Sequence, residues 1–268
     1  MRWVIGFWMS LGMFSSLPVP KQWAWSEAAR PLIIPNLPVV GLVHGLLSGL
    51  AAWGLIRLHV PPVLSALLTL LILHGLTGLI HDDGLMDTAD ALFSRAPLEK
   101  RLAILKDPHV GSFAVLAIFL VLLSQYAALQ VSFAVATTGR SRFSFMLLLL
   151  LIPVLSRAIV SLAVLSTPGV ITNGYAKSFR EGTTWRHRLL PLLALVTSFT
   201  GAVIWSVTTG SWCASLVLLA EILAGALAYR SVFREFHGLS GDLAGFILVI
   251  SETAALLATA LAITLQCI

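Results

Sequence analysis

The sequence has little charge and almost no cysteine. Asp, Glu, Lys and Arg make up 11% of the 268 residues, and hydrophobic residues make up 58%, whereas soluble domains carry about 25% charged residues. This shortage of charge excludes an ordinary soluble fold, and a mean hydropathy of +0.94 indicates that lipid surrounds most of the chain. The two cysteines, Cys213 and Cys267, lie in apolar runs without metal-ligand spacing. We therefore expect neither a disulfide framework nor a cysteine metal site.

The chain also lacks a basic cluster of the kind that binds nucleic acid. Its net charge of +5 comes from 17 Lys and Arg residues against 12 Asp and Glu residues. The basic residues are spread over short polar segments, and such segments are typical of the cytoplasmic side of membrane proteins. We therefore predict no nucleic-acid partner and a lipid bilayer as the surroundings.

Long apolar runs rich in Leu and Ala are abundant. A membrane-spanning helix needs about 20 apolar residues, and continuous rather than alternating runs favour helices over a barrel. The candidate spans are 3–17, 32–56, 60–80, 111–136, 143–166, 189–209, 212–233 and 245–267, of which the first is marginal. The predicted fold is an all-α, polytopic membrane bundle with about seven (six to eight) transmembrane helices. No linker divides the chain, so residues 1–268 form one membrane-embedded domain.

The polar segments between these spans are few. They are 18–31, 81–110, 167–188 and 234–244. If every span crosses once, all four segments lie on one side, and that side carries most of the Lys and Arg residues. The excess of positive charge predicts that this side faces the cytoplasm.

An acidic segment at the start of the 81–110 loop carries the clearest chemical signal. If residues 81–90 are helical, Asp83, Asp87 and Asp90 stand on one face. Clustered carboxylates repel each other unless a cation joins them, and oxygen ligands suit a hard cation such as Mg²⁺ or Mn²⁺. The segment predicts a metal site at the cytoplasmic face. The alternative is a solvated acidic helix end at the membrane surface.

Other residues in and near this segment have simpler interpretations. Gly84 would let a ligand approach the backbone closely, and Asp82 points away from the acidic face as a bystander. The histidines His44, His59 and His74 have no ligand spacing and are interpreted as structural.

Positive side chains are candidates for holding phosphate. Lys106 and Arg95 could contact phosphates, although a basic surface helix on anionic headgroups is the alternative for this stretch. Asp107 could join the metal or pair with Lys106. Arg157 lies inside a span, where charge is costly and usually functional. It could reach toward a diphosphate, extend its charged end to the membrane surface, or pair with Glu252.

Two polar turns could bind an anion or a nucleotide. Gly238, Ser240 and Gly241 form a small-residue turn whose backbone N–H groups could cradle an anion. Asp242 could add a carboxylate there, or the turn could simply start a helix. The loop that contains Lys177 offers cations and aromatic rings suited to a nucleotide.

Taken in order, these motifs resemble those of the cobalamin synthase family, the adenosylcobinamide-GDP ribazoletransferases. The matching segments are Phe14-x-x-Leu17-Pro18-Val19-Pro20, His81-x-Asp83-Gly84-x-x-Asp87-Thr88-x-Asp90, Leu98 to Ser112, Ser156-Arg157, and Gly238-x-Ser240-Gly241-Asp242 with Glu252. They run from about residue 7 to about residue 260. The chain departs from the family pattern at Asp82, Ala91, Pro108, His109, His237 and Ser240. A phosphate contact that the family makes with arginine would therefore be either lost or replaced by His109.

The resemblance implies an enzyme that joins adenosylcobinamide-GDP to α-ribazole or its 5′-phosphate and releases GMP. It implies a divalent cation, usually Mg²⁺, and a prokaryotic plasma membrane with the active site facing the cytoplasm. Phosphoryl transfer of this kind depends on positioning and on neutralisation of charge. The sequence also allows a homo-oligomer.

The resemblance implies roles for individual residues as well. The metal candidates are Asp83, Asp87, Asp90 and Asp242. The catalytic candidates are Asp90 as an alternative general base, His81 as a second base or an orienting group, and Lys106 and Arg157 as neutralising cations. The substrate-binding candidates are Arg95, Asp107, His109, Lys177, Gly238, Ser240 and Gly241.

Two other functions compete with this reading. A CDP-alcohol phosphotransferase also places an Asp-rich metal segment on membrane helices, but its signature has an Ala-Arg pair that is missing after Asp83-Gly84. A cation transporter normally carries its carboxylates near the bilayer midplane at broken helices, whereas this segment follows the end of a predicted span.

Overall fold

The chain folds into a bundle of α-helices joined by short turns. The structure is a computed structural model that describes residues 1–23, 25–136, 139–170 and 179–265. Its α-helices are α1 (Arg2–Phe14), α2 (Leu37–Arg57), α3 (Pro62–Thr77), α4 (Ile80–Phe93), α5 (Leu98–Ile104), α6 (Ser112–Val135), α7 (Gly139–Ser166), α8 (Leu189–Thr209), α9 (Cys213–Phe236) and α10 (Gly241–Thr264). Within the described ranges, the only β-type pairing is a single bridge between Gly169 and Leu239.

Six helical segments of the described chain are long and apolar enough to cross a membrane. They are Ile34–Arg57, Ser112–Val135, Ser141–Ser166, Trp185–Thr209, Cys213–Phe236 and Gly241–Thr264, and the bent pair α3 and α4 would make a seventh. The predicted all-α polytopic membrane bundle is therefore confirmed.

The marginal first span is a short helix. Helix α1 has 13 residues and is about 20 Å long, whereas the hydrocarbon core is about 30 Å thick. The chain after α1 is tied to the end of α3, because the hydroxyls of Ser15 and Ser16 donate to the carbonyl oxygens of Leu76 (2.9 Å) and Gly75 (2.7 Å). These bonds hold the end of α1 against the bundle.

The predicted span 60–80 ends earlier than expected. Gly78 and Leu79 both adopt φ of +64°, and left-handed backbone cannot continue a right-handed helix. Helix α4 therefore leaves at 87° to α3 and packs against α6 and α10. Most of the segment 81–110 is thus helix, as α4 and α5, rather than extended loop.

Two helices form the centre of the bundle. In α7 and α10, 67% of the residues in the most apolar part of the candidate span are buried, compared with at most 33% in the other candidate spans. Helix α7 packs most extensively on α2, and α10 packs on α4, α6, α7 and α9. The residues that α4 presents to α10 are consequently held by the most buried part of the fold.

Candidate active site

Helix α4 and the first turn of α10 bring three carboxylates together. Asp83 and Asp87 lie one turn apart on α4, as predicted for a helical segment, and Asp242 starts α10 beside them. A Cβ atom added to Gly84 would lie only 2.8 Å from the carbonyl oxygen of Asp242. The prediction that Gly84 admits a ligand is therefore corrected, because the neighbour at this glycine is the backbone of α10. We call Asp83, Asp87 and Asp242 the acidic face.

The acidic face is held without compensating charge. Asp83 is exposed, while Asp87 and Asp242 are half-buried. Burial, and after it the charges of Asp83, Asp242 and Asp90, oppose the ionised form of Asp87. Burial and the charge of Asp83 likewise oppose the ionised form of Asp242. In the described ranges, no lysine or arginine forms an ion pair with these three carboxylates. Keeping three ionised carboxylates close together without a basic partner is costly unless a cation or a cationic ligand binds.

The donor chemistry of the acidic face fits a hard divalent cation. All its donors are carboxylate oxygens, which Mg²⁺ and Mn²⁺ prefer. Among the described residues, no three His, Cys, Asp or Glu side chains stand close enough to enclose a metal ion. Mg²⁺ is usually bound by one or two carboxylates and completes its shell with water and substrate phosphate, so a full protein cage is not required.

A cavity of about 320 Å³ opens beside the acidic face. Its polar lining consists of His81, Asp83, Ser240, Gly241 and Asp242. The rest of its wall is apolar and comes from α1, α2, α4, α7, α10 and Phe179. We call this space the acidic cavity. Its combination of carboxylates and apolar walls suits an amphipathic ligand.

In the turn before α10, some residues support the fold and others line the acidic cavity. The Ser240 hydroxyl accepts a hydrogen bond from the backbone N–H of Leu243 at 3.3 Å and so caps α10. A Cβ atom on Gly238 would lie 2.8 Å from the carbonyl oxygen of Pro168, which shows that Gly238 packs against the segment that follows α7. Of the predicted turn, only Ser240 and Gly241 reach the acidic cavity.

Asp90 is turned toward the start of α6. Its Oδ2 accepts from the backbone N–H of Gly111 at 2.6 Å, and its Oδ1 accepts from that of Ala114 at 2.9 Å. A carboxylate in this position satisfies free N–H groups of a helix N-terminus. The structure thus gives Asp90 a structural role that the sequence analysis did not anticipate, and it is not among the residues that line the acidic cavity.

His81 separates the acidic cavity from a small polar cavity inside the bundle. Its ring stacks on Phe14, with centroids 6.3 Å apart and planes 11° apart. The ring lines the acidic cavity and also a space of about 20 Å³, which is large enough for one water molecule. Its Nε2 is buried and has no hydrogen-bond partner. This burial favours an orienting role for His81 over that of a general base.

The small polar cavity contains a chain of hydrogen-bonded side chains. His74 Nδ1 lies 2.8 Å from Asp82, His74 Nε2 lies 2.7 Å from Gln125, and Gln125 donates to the hydroxyl of Thr253 at 2.8 Å. Asp82 points away from the acidic face, as predicted, and it is buried and links α4 to α3, a contact that the sequence did not indicate. The structural interpretation of His74 agrees with these bonds.

Arg157 pairs with Glu252 in the core of the bundle. The two side chains are 2.7 Å apart, and Arg157 is fully buried. It also donates to the carbonyl oxygen of Pro153 at 3.1 Å and lies 3.2 Å from His44 Nδ1. Of the three alternatives for Arg157, the structure shows the pair with Glu252, and Arg157 does not line the acidic cavity.

The other predicted cations and their neighbours are exposed. Arg95 follows α4, while Lys106, Asp107 and His109 lie on the turn between α5 and α6. The backbone N–H and the ring of His109 both bond to Asp107 and hold the pKa of that carboxyl below its usual value. None of these four lines the acidic cavity. The predicted contact at Lys177 lies outside the described residues.

Sequence reasoning missed the apolar wall of the site. Met13, Phe14, Val160, Val164 and Phe179 line the acidic cavity but come from parts of the chain that are far apart. Phe14 alone had a signal, because it belongs to the N-terminal motif Phe14-x-x-Leu17-Pro18. The others are apolar residues in apolar segments, which no pattern distinguishes.

The fold and the site define a multi-pass membrane protein with an acidic, amphipathic cavity at one end of its helical bundle. A family model described as cobalamin-5-phosphate synthase matches residues 6–260. The chain therefore belongs to the cobalamin-5-phosphate synthase family, which confirms the resemblance found in the sequence. No solved structure matches the chain.

Curated relatives from different bacteria cover almost the whole chain. A protein of Clostridium perfringens is 34% identical over 93% of this chain and 94% of its own length. A Geobacillus kaustophilus protein is 31% identical over 92% of each chain. A Pseudomonas putida protein is 35% identical over 96% of this chain and 99% of its own. All three are named adenosylcobinamide-GDP ribazoletransferase, the name of a transferase.

Proposed function

We propose that the protein is an adenosylcobinamide-GDP ribazoletransferase that acts late in cobalamin biosynthesis. It would join adenosylcobinamide-GDP to α-ribazole or its 5′-phosphate, giving adenosylcobalamin or its 5′-phosphate and GMP. The observation that carries the proposal is the meeting of unpaired carboxylates from α4 and α10 at a cavity with apolar walls. The names of relatives that cover more than nine tenths of the chain support it.

The reaction forms one P–O bond and breaks another. A ribose hydroxyl attacks the phosphorus that carries the cobinamide, and the bridging oxygen leaves with GMP. The proton of the hydroxyl passes to water at the exposed Asp83 carboxylate. The rigid contact of α4 with α10 holds Asp83 and Asp242 in fixed relative positions, and such positioning supplies much of the rate in phosphoryl transfer.

One or two of the carboxylates Asp83, Asp87 and Asp242 would bind Mg²⁺ or Mn²⁺ directly, and water and substrate phosphate would supply its other ligands. When bound, the cation would neutralise the diphosphate and help the GMP group to leave. This assignment also explains why repelling carboxylates are kept together without a basic partner. His81, packed flat on Phe14, would fix the orientation of this end of α4.

The exposed cations near the acidic face would act at a distance. Arg95 and Lys106 flank α4 and α6 in sequence and are exposed, so they would raise the local concentration of anionic substrates by long-range attraction. Arg101, which pairs with Glu235, and Arg188 lie at the same end of the bundle. An excess of positive charge at this end supports a cytoplasmic orientation in a prokaryotic plasma membrane.

The test is GMP release by detergent-purified protein. Adenosylcobinamide-GDP, α-ribazole 5′-phosphate and Mg²⁺ are supplied together, and the product is analysed by mass spectrometry. We expect GMP and a cobalamin phosphate in equal amounts, both lost with EDTA and restored by Mg²⁺. Turnover that survives EDTA would contradict the metal assignment but not the reaction.

A second reaction mixture tests the competing enzyme class. CDP-diacylglycerol and an alcohol replace the cobalamin precursors, and CMP is measured. CMP release without GMP release in the first mixture would refute the proposed function in favour of phospholipid synthesis. Absence of turnover in both mixtures, from protein that elutes as a single folded species, would refute both.

A further inference from the structure

We infer that the acidic cavity binds the ribazole substrate, with its flat base against the apolar wall and its ribose toward Asp83 and Asp242. This inference rests on the proposed function, because it assigns one of the two substrates of that reaction to one place. The larger substrate, the GDP-linked corrinoid, would then approach the acidic face from outside the cavity.

The size of the cavity separates the two substrates. Ligand pockets in proteins range from about 300 to 1,000 Å³, and the acidic cavity, at about 320 Å³, is at the small end of this range. A benzimidazole base on a ribose is a compact ligand of a size that such a pocket can enclose. A corrin ring with an adenosyl group and GDP is several times larger and cannot be enclosed as a whole.

The wall of the cavity suits a flat aromatic base. Phe14 lies close to two other rings. The His81 ring is stacked on it with centroids 6.3 Å apart, and the Phe179 ring is tilted by 60° at 6.5 Å. Val160 and Val164 of α7 form an aliphatic surface on the same cavity. Aromatic rings prefer offset-stacked or edge-to-face contacts with other rings, and a cavity lined in this way offers a planar base both kinds of contact.

The polar groups lie at one end only. Asp83, Ser240 and Asp242 line the cavity, while the described part of its wall contains no lysine or arginine. Carboxylates accept hydrogen bonds from ribose hydroxyls. The polar end therefore matches the sugar of the nucleoside and places its hydroxyls beside the carboxylates that the proposed reaction uses.

The test separates the two substrates kinetically. Phe14→Ala removes a ring from the cavity wall. Phe119→Ala is the matched control, because Phe119 lies on α6, is 60% exposed and does not line the acidic cavity. We expect Phe14→Ala to raise the KM for α-ribazole about tenfold. The KM for adenosylcobinamide-GDP should change by less than about twofold, and Phe119→Ala should change neither. A larger rise in the corrinoid KM, or no change in either, would overturn the inference.

A measurement on the wild-type protein avoids any effect of substitution on folding. Free dimethylbenzimidazole, the base without its ribose, is added as an inhibitor at varied concentrations of each substrate. We expect competitive inhibition toward α-ribazole and not toward adenosylcobinamide-GDP. The opposite pattern would overturn the inference while the enzyme remains active. A wild-type protein that releases no GMP would instead refute the proposed function.

Discussion

Both the acidic face and the bundle core contain carboxylates, but those of the acidic face have no basic partner, whereas most of those in the core are paired. On the acidic face, Asp83, Asp87 and Asp242 repel one another and have no basic partner in the described chain. In the core, Glu252 bonds to Arg157 at 2.7 Å, and Asp82 bonds to His74 at 2.8 Å. The carboxylates of the acidic face are thus free to bind a ligand, whereas most carboxylates in the core are bonded to other side chains of the protein.

This difference indicates which acidic residues hold the fold and which ones serve a ligand. Unpaired charge in the apolar interior costs several kcal/mol, so core carboxylates need a partner to be tolerated. Glu221 is the exception, because it is fully buried and forms no ion pair with a described lysine or arginine. We have no physical account of Glu221. Unpaired charge at a water-filled mouth costs less and can be retained for binding.

Breaking the core pair should have the largest effect. Glu252→Ala leaves Arg157 buried without its counter-charge, and removal of one partner of a buried pair costs about 3–5 kcal/mol. We expect a marked fall in the unfolding temperature of the detergent-purified protein. The control is the double substitution Arg157→Met with Glu252→Met, which should recover much of the loss. If Glu252→Ala unfolds like the wild type, the pair does not hold the core.

Removing charge from the acidic face should have the opposite effect on stability. Asp87→Asn relieves repulsion by Asp83 and Asp242, so the unfolding temperature should stay the same or rise. GMP release should fall by at least about 100-fold, the scale expected when a preorganised charge interaction at the reacting group is lost. Wild-type activity in this variant would remove the acidic face from the proposed mechanism.

Asp90 lies between these two cases, and substitution separates its roles. Asp90→Ala deletes the acceptors for the backbone N–H groups of Gly111 and Ala114 and should cost about 1–2 kcal/mol, as for a lost helix cap. Activity per folded molecule should change little. Asp90→Asn, which keeps one acceptor, should be destabilised less. Loss of turnover at unchanged stability would instead restore Asp90 as a metal ligand or base.

The smallest effect is expected at the exposed turn. Lys106→Ala removes one exposed charge and should lower kcat/KM by about threefold at low salt. The difference should vanish near 0.5 M salt, because exposed charges are then screened within about 4 Å. A defect that persists at high salt would show that Lys106 contacts the diphosphate directly, as the sequence analysis proposed. Rates at two salt concentrations decide between these roles.

Predictions from the sequence succeeded where a local pattern has one structural meaning. The apolar runs predicted the spans, and the spacing of Asp83 and Asp87 predicted a shared helix face. They failed for Gly84 and gave no partner for Asp82, because the neighbours of these residues lie on other helices. Nothing in the segment itself shows that His74 turns toward Asp82, or that the start of α10 lies against Gly84.

The sequence by itself determined the membrane class, the helical architecture, the family and the acidic segment, since each depends on composition or on neighbours within a few turns. Only the tertiary structure decided which carboxylates are paired, that Asp90 caps α6, and that Phe14, Phe179 and α7 close a cavity beside Asp83. The physical reason is that pairing and enclosure depend on distances between helices. Those distances are set by how the bundle packs around α7 and α10. The apolar side chains that pack there are too similar to one another for the sequence to indicate which helices become neighbours.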